Sequence, residues 1–87
     1  MPLFIVERRV AGMTMARLTA GQQAAVAAAA QLASKGIRVQ YVRTMLMARE
    51  SRCLCLFEAP DAETVRAINV KAGLPFDRIA EAADLTP

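Results

Sequence analysis

The sequence has no histidine, no tryptophan and only four other aromatic residues among its 87 amino acids. Imidazole, a ligand that suits several transition metals, is therefore missing from any site that this chain can build alone. The core must be made of Ala, Val, Leu, Ile and Met, within an apolar fraction of 55%. We expect one domain, residues 1–87, and a domain of this size buries only about 60% of its unfolded surface. Such a domain gains much from a partner subunit.

Long apolar runs and leader segments are also missing. The longest purely apolar run spans residues 24–30, whereas a membrane-spanning helix needs roughly 20 residues. The N-terminal stretch MPLFIVERR has no basic segment followed by an apolar one, so we expect no signal peptide. Two cysteines are too few for a disulfide scaffold. These absences favour a cytoplasmic protein with reduced thiols and no membrane partner.

Motifs for several common activities are absent as well. The sequence has no Gly-rich phosphate loop, no nucleophile elbow and no CxxC pair. RNA-recognition domains stack bases on aromatic residues of their central strands. The corresponding stretch here, RCLCLFEA, carries a single aromatic residue, and we therefore expect no nucleic-acid partner.

The sequence does contain a regular succession of strand and helix patterns. The first helical segment is rich in Ala, the best helix former, and Gly21 interrupts it at a cost of about 1 kcal/mol. Thr14 and Asp61 are candidate N-caps, while Gly36 and Gly73 are candidate helix ends. The predicted order is strand 3–10, helix 15–35, strand 37–47, strand 52–59, helix 62–72 and strand 76–85. This order predicts an α+β, ferredoxin-like βαββαβ fold, a four-stranded antiparallel sheet with two helices on one face.

Apolar side chains at helical spacing indicate which helix faces pack on the sheet. On the first helix they are Leu18, Ala25, Val26, Ala29 and Leu32. On the second helix they are Val65, Ile68 and Ala72.

The loop between the second and third strands decides which of their side chains share a face. Directly opposed residues of antiparallel strands point to the same side of the sheet. A two-residue turn at 50–51 would place the methionines and cysteines on opposite faces, but Glu-Ser suits that turn poorly. We predict a three-residue loop at 49–51, which pairs Met47 with Cys53 and Met45 with Cys55. The aliphatic set Val42, Leu46, Leu54 and Leu56 should then face the helices.

The face away from the helices would carry a mixed and largely apolar set. Its members are Tyr41, Arg43, Met45, Met47, Cys53, Cys55 and Phe57. Because such a surface is not left exposed on a soluble monomer, we predict a homodimer with the two sheets face to face, an α/β-barrel-type assembly. A ligand pocket between the sheets would be lined by Tyr41, Arg43, Met45, Phe57 and Arg78.

The sulfur side chains admit two interpretations. Two thiolates from Cys53 and Cys55, with Met45 or Met47, would suit a soft metal ion such as Cu(I). Buried Cys and Met are equally ordinary core residues. A disulfide is disfavoured, because Cα atoms two residues apart on a strand are about 6.6 to 7 Å apart, at or beyond the limit for a relaxed bridge.

The acidic residues Glu7 and Glu81 are candidate catalytic bases. A carboxylate in a mostly apolar pocket has a raised pKa, which suits proton abstraction near neutral pH. The alternative is a structural one, in which these acids form salt bridges with Arg43 and Arg78 at the dimer interface. A cofactor-free isomerase or cyclase is thus an alternative function.

Four sequence stretches, FIVER, LFEAPD, VRA and AGLPFDRIAEA, resemble a family of short bacterial proteins of unknown general function. That family includes a nickel-binding protein with a ferredoxin-like fold that forms a dimer. The matching motif residues are Glu7, Arg8, Cys55, Phe57, Glu58, Pro60, Asp61, Gly73, Leu74, Pro75, Asp77, Arg78 and Ile79. Relatives often carry a histidine near the place of Arg43, and this departure bears on any nickel site, since imidazole suits nickel.

The resemblance and the residues together predict a small cytoplasmic, dimeric binding protein. Its ligand would be a metal ion, nickel or a softer ion, or a small molecule in the pocket on the sheet face. The alternatives are the cofactor-free enzyme and a purely structural accessory subunit.

Overall fold

The computed structural model describes every residue from Met1 to Pro87, and its elements follow the predicted βαββαβ order. These elements are β1 (Leu3–Arg9), α1 (Met15–Ser34), β2 (Gln40–Met47), β3 (Arg52–Glu58), α2 (Ala62–Lys71) and β4 (Arg78–Ala82). The strands form one antiparallel sheet in the order β2-β3-β1-β4, with β1 and β3 in the centre. The ferredoxin-like fold is therefore confirmed.

Local sequence signals set the helix boundaries. The Thr14 side chain accepts a hydrogen bond from the Arg17 backbone N–H at 3.2 Å, which caps the start of α1. Gly36 follows the end of α1 with a φ of 88°, in the left-handed region that glycine adopts readily. Asp61 caps α2 by accepting from the Thr64 backbone N–H at 2.8 Å. Both helices therefore begin where their predicted caps place them.

Small residues let α1 approach its neighbours closely. Its buried positions are Ala25, Ala28 and Ala29. Val26, which we expected in the buried stripe, is exposed. At Gly21 a Cβ atom would lie 3.3 Å from Leu74 Cδ2, so the glycine makes room for a side chain from the segment after α2. This contact explains why a helix interior keeps a residue of low helix propensity.

The hydrophobic core lies between the sheet and the two helices. Every second residue of the central strands is buried there: Phe4, Val6 and Arg8 from β1, and Cys53, Cys55 and Phe57 from β3. Val65 and Ile68 of α2 are fully buried, as predicted, and so is Asn69.

The loop between β2 and β3 has four residues, 48–51, and not the predicted three. The Ser51 N–H donates to the Ala48 carbonyl at 3.2 Å, and Ser51 takes a left-handed φ of 52°. Four-residue hairpin loops are commonly built around such a turn. The strands therefore pair Met47 with Arg52.

This register reverses the predicted faces of β3. Cys53, Cys55 and Phe57 point toward the helices, while Leu54 and Leu56 point away. The predicted pairing of methionines with cysteines is wrong, because a loop of even length changes which side chains oppose each other.

A bulge in β2 puts Tyr41 and Arg43 on opposite sides of the sheet, although the sequence predicts that they share a face. Tyr41 pairs with Phe57 and Arg43 pairs with Leu56, so Val42 is an extra residue in β2. Tyr41 therefore lies on the helix side of the sheet and Arg43 on the other side. The Tyr41 and Phe57 rings meet edge to face with centroids 5.7 Å apart.

The other face of the sheet, hereafter the open face, has no covering layer. Its apolar residues are Leu3, Ile5, Val42, Met45, Met47, Leu54, Leu56, Ala80 and Ala82. Met45 is 43% exposed even though it lies well inside a strand. Neither helix combines the length and the apolar character needed to cross a membrane.

The burial pattern of α2 leads to a test of the core. Ile68 has no exposed surface, whereas Val70 on the same helix is 69% exposed. We expect Ile68→Ala to lower the free energy of unfolding by about 2 to 5 kcal/mol, because it removes buried methyl groups and leaves a cavity. Val70→Ala should change it by less than about 0.5 kcal/mol. Urea denaturation of both variants would measure the difference, and equal losses would contradict the assigned helix face.

A thiol cavity beneath helix α1

A cavity of about 190 Å³ lies between the first turns of α1 and the helix side of the sheet. We call it the α1 cavity and define it by six of its lining residues: Arg8, Leu18, Thr44, Cys53, Cys55 and Leu74. The exposed side chains of Met15 and Arg17 also line it, so the cavity opens to solvent beside the start of α1. The lining contains two arginines and no carboxylate.

The two thiols lie at the buried end of the α1 cavity and are free. They share one side of β3 because they are two residues apart on a strand. The pKa of Cys55 is lowered, chiefly by the hydrogen bond that the Cys53 thiol can donate to it, and also by Thr44 and Arg8, against the effect of burial. The pKa of Cys53 is raised, because its thiol proton is held in the hydrogen bond to Cys55 and because the side chain is buried. When the pair loses one proton, Cys55 is therefore the residue that carries the negative charge.

A chain of hydroxyl groups connects Cys55 to α1. Gln22 Nε2 donates to the Tyr41 hydroxyl at 2.8 Å, and the Tyr41 and Thr44 hydroxyl oxygens are 2.6 Å apart. Thr44 Oγ1 lies 3.3 Å from Cys55 Sγ. The bulge at Val42 makes this chain possible, since it turns Tyr41 to the same side as Thr44.

Arg8 supplies a buried positive charge beside the thiols. It is 7% exposed, and it pairs directly with Cys53 across β1 and β3. Its guanidinium donates to Asn69 Oδ1 at 2.6 Å and to the Pro75 carbonyl at 3.0 Å. Asn69 in turn donates to the Val65 carbonyl at 2.9 Å. No Asp or Glu oxygen lies within 4.0 Å of Arg8, so the protein stabilises this cation with neutral oxygens.

The structure divides the predicted metal ligands between two faces. Cys53 and Cys55 lie in the α1 cavity, whereas Met45 and Met47 lie on the open face. Four sulfur atoms therefore do not meet within one chain, since the sheet separates the two pairs.

The predicted ligand pocket is divided in the same way. Tyr41 and Phe57 pack together on the helix side, while Arg43, Met45 and Arg78 lie on the open face. The chain alone does not bring these five side chains into one pocket.

The two predicted catalytic acids are also apart. Glu7 lies on the open face, where its Oε2 is 2.7 Å from Arg78 Nε and 4.0 Å from Arg52 Nη2. Glu81 pairs with Phe4 and is exposed on the opposite side of the sheet. Glu7 thus pairs with Arg78, as the structural alternative predicted, and with Arg52 instead of Arg43.

Three important residues of the α1 cavity and its surroundings were not singled out as site residues from the sequence: Arg8, Thr44 and Asn69. The alternation of β1 carried a signal for Arg8, because it shares a side with Phe4 and Val6. Asn69 follows the predicted buried Ile68 but carries no chemical signal of its own.

The donor set decides which metal ions fit the α1 cavity. No group of three or more His, Cys, Asp or Glu side chains in the structure could hold a metal ion. The cavity offers two thiols, and the thioethers of Met13 and Met15 and the hydroxyl of Thr44 also line it. Thiolate and thioether ligands suit soft ions such as Cu(I), whereas imidazole suits nickel. The residues present therefore fit a soft ion with few ligands better than Ni(II).

Comparison with known proteins identifies the relatives of this chain. The family model described as "Nickel responsive protein SCO4226-like" matches residues 4–82. The chain belongs to the SCO4226-like family. The crystal structure of SCO4226 from Streptomyces coelicolor A3(2) is similar, with a TM-score of 0.78 and 26% sequence identity, over 97% of this chain and 99% of that chain. No curated protein matches the chain.

Membership of the SCO4226-like family confirms the resemblance seen in the sequence motifs. Three of those motif residues, Arg8, Cys55 and Leu74, line the α1 cavity, and Pro75 accepts a hydrogen bond from Arg8. The family description speaks of a response to nickel. Within this chain, one group of motif residues thus meets at the cavity, while Glu7 and Arg78 form an ion pair on the open face.

The contact between Asn69 and Arg8 can be tested directly. We expect Asn69→Ala to lower the free energy of unfolding by about 2 kcal/mol, because it leaves a buried guanidinium without one of its acceptors. Glu63→Ala is the control on the same helix, since its ion pair with Arg66 is exposed and should contribute less than about 0.5 kcal/mol. Urea denaturation gives both values, and equal effects would contradict the role assigned to Asn69.

Proposed function

We propose that this protein is a small metal-binding protein in which the thiols of Cys53 and Cys55 hold a soft transition-metal ion in the α1 cavity. The observation that carries the proposal is the pair of free thiols at the buried end of an open cavity. The description of the SCO4226-like family as nickel responsive supports a role in metal handling. We further propose a cytoplasmic location, because the site requires reduced thiols.

The protonation of the two thiols affects metal binding at this place. A metal ion binds thiolates and not thiols, so a site that loses its protons easily binds more tightly. A hydrogen bond from the Cys53 thiol, together with Thr44 and Arg8, lowers the pKa of Cys55 to about 5, so one thiolate ligand is present near neutral pH. Cys53 keeps its proton, which a bound metal ion displaces. Because thiolates suit soft ions and the chain has no imidazole, we expect Cu(I) to bind more tightly than Ni(II).

We also propose that two copies of the chain pair through their open faces. The open face of β1, β2 and β3 carries seven Leu, Ile, Val and Met side chains beside five charged ones, and a small domain gains stability from burying apolar surface. Glu7 and Arg78 would lie in this interface as an ion pair already formed within each chain. The α1 cavity is on the other side of the sheet, so pairing would leave its opening free.

The metal proposal predicts a dependence on the two cysteines. Isothermal titration of the reduced protein should show binding of Cu(I), and weaker binding of Ni(II). Cys55→Ser should weaken Cu(I) binding at least tenfold, because serine is not a ligand for soft ions. Met45→Leu is the matched control, since it removes a sulfur atom from the open face.

Two results would contradict this assignment. Equal Cu(I) affinity in the wild type and Cys55→Ser would exclude Cys55 as a ligand. A loss confined to Met45→Leu would move the site to the open face.

The assembly proposal predicts a change of mass. Light scattering at micromolar concentration should give twice the chain mass of 9.4 kDa. Met45→Glu should give the monomer mass, because an interface that buries an unpaired carboxylate is strongly destabilised. Val70→Glu, on the exposed side of α2, should leave the dimer intact. A wild-type protein that scatters as a monomer would refute pairing through the open face.

A further inference from the structure

Arg8 is a buried cation that has hydrogen-bond donors to spare. Its guanidinium carries more N–H groups than its two acceptors, Asn69 Oδ1 and the Pro75 carbonyl, can use. Nε donates to no group of the chain, whereas every side-chain nitrogen that is shut off from solvent has a partner. The Nε–H group is therefore open to a small molecule, and Arg8 lines the α1 cavity.

The charge around the α1 cavity is positive. Arg8 and Arg17 line it, and no Asp or Glu does. Cys53 and Cys55 are the only lining residues that can become negative. Two arginines and one thiolate leave a net charge of +1, and with both thiols protonated the net charge is +2. The cavity attracts an anion in either state, since a buried guanidinium without a counter-ion is unfavourable.

The size and the walls of the cavity suit an organic anion. A cavity of about 150 Å³ holds a benzene molecule, and the α1 cavity measures about 190 Å³. Leu18, Leu46 and Leu74 give it apolar walls. Apolar walls around one or two fixed polar groups are typical of a binding site for a small organic molecule.

We propose that the α1 cavity binds a small monocarboxylate, with the carboxylate on the Nε–H of Arg8 and the apolar tail between Leu18 and Leu74. Arginine and carboxylate form strong, charge-assisted hydrogen bonds. Arg17, exposed at the opening, adds a positive charge on the path by which the anion enters. This binding does not depend on metal, although a metal ion and a carboxylate would share the cavity.

Benzoate is a suitable probe for the reduced protein, freed of metal with a chelator and then desalted. Isothermal titration should show one benzoate bound per chain. Benzamide keeps the ring and lacks the charge, while acetate keeps the charge and lacks the ring. Each should bind at least tenfold more weakly than benzoate, because each loses one half of the interaction.

The Nε–H of Arg8 reports where the carboxylate lies. Its signal in a proton–nitrogen correlation NMR spectrum should move to higher proton frequency on binding, because a hydrogen bond to a carboxylate deshields the proton. The Nε–H of Arg66, which lies over the Phe76 ring on α2, is the internal control and should not move. This measurement uses the unaltered chain.

Two variants test the roles of the side chains. Arg8→Met keeps the apolar stem and removes the charge, so it should weaken benzoate binding at least tenfold, with circular dichroism as the check on folding. The double variant Cys53→Ser/Cys55→Ser removes the thiolate that would compete for Arg8. It should bind benzoate at least as tightly as the wild type while it loses Cu(I), so this proposal and the metal proposal fail independently.

Three outcomes would overturn the carboxylate site. The first is that benzoate does not bind, or that benzamide or acetate binds as tightly. The second is an Arg8 Nε–H signal that stays in place at saturating benzoate. The third is a loss of benzoate binding in the double serine variant, which would assign the ligand to the thiols instead of Arg8.

Discussion

The buried guanidinium of Arg8 is the interaction on which the arrangement of this protein depends most. A charge removed from water is strongly unfavourable unless its donors find acceptors, and here the acceptors come from Asn69 on α2 and from Pro75 just beyond it. One side chain of a central strand thereby fixes the position of α2 and of the segment that leads into β4. The same segment carries Leu74 into contact with Gly21 of α1. Arg8 thus links both helices to the sheet and, on its other side, adjoins the thiols.

The parts of this structure that the sequence predicts are those with local causes. Thr14 and Asp61 start the two helices because their side chains accept hydrogen bonds from backbone groups three residues later. Val65 and Ile68 are buried because helical periodicity places them on one face. The faces of β3 were not predictable in this way, since RCLCLFE is apolar at every position between Arg52 and Glu58. The orientation of β3 depends on the loop before it. In that loop Ser51 takes a left-handed conformation that the sequence does not predict.

The candidate site was predictable in its chemistry but not in its location. Cys53 and Cys55 stand out in any reading of the sequence because they are the only thiols. Their partners come from places far apart in the chain: Arg8 from β1, Thr44 from β2 and Gln22 from α1. Such a set forms only when β3 pairs with both neighbours in one register, so its members cannot be found without the topology. The chain shares its fold with SCO4226, and its own donor set consists of thiols without imidazole.

The bulge at Val42 has a consequence for how the protein meets other chains. β2 is an edge strand, and an edge strand offers unpaired backbone groups to which a foreign strand can bind and extend the sheet. One extra residue interrupts the regular spacing of those groups and increases the local twist. A straight strand laid along β2 would lose its register at Val42 after only a few residues. The same irregularity that turns Tyr41 toward the thiols therefore also protects this edge from uncontrolled polymerisation into longer sheets.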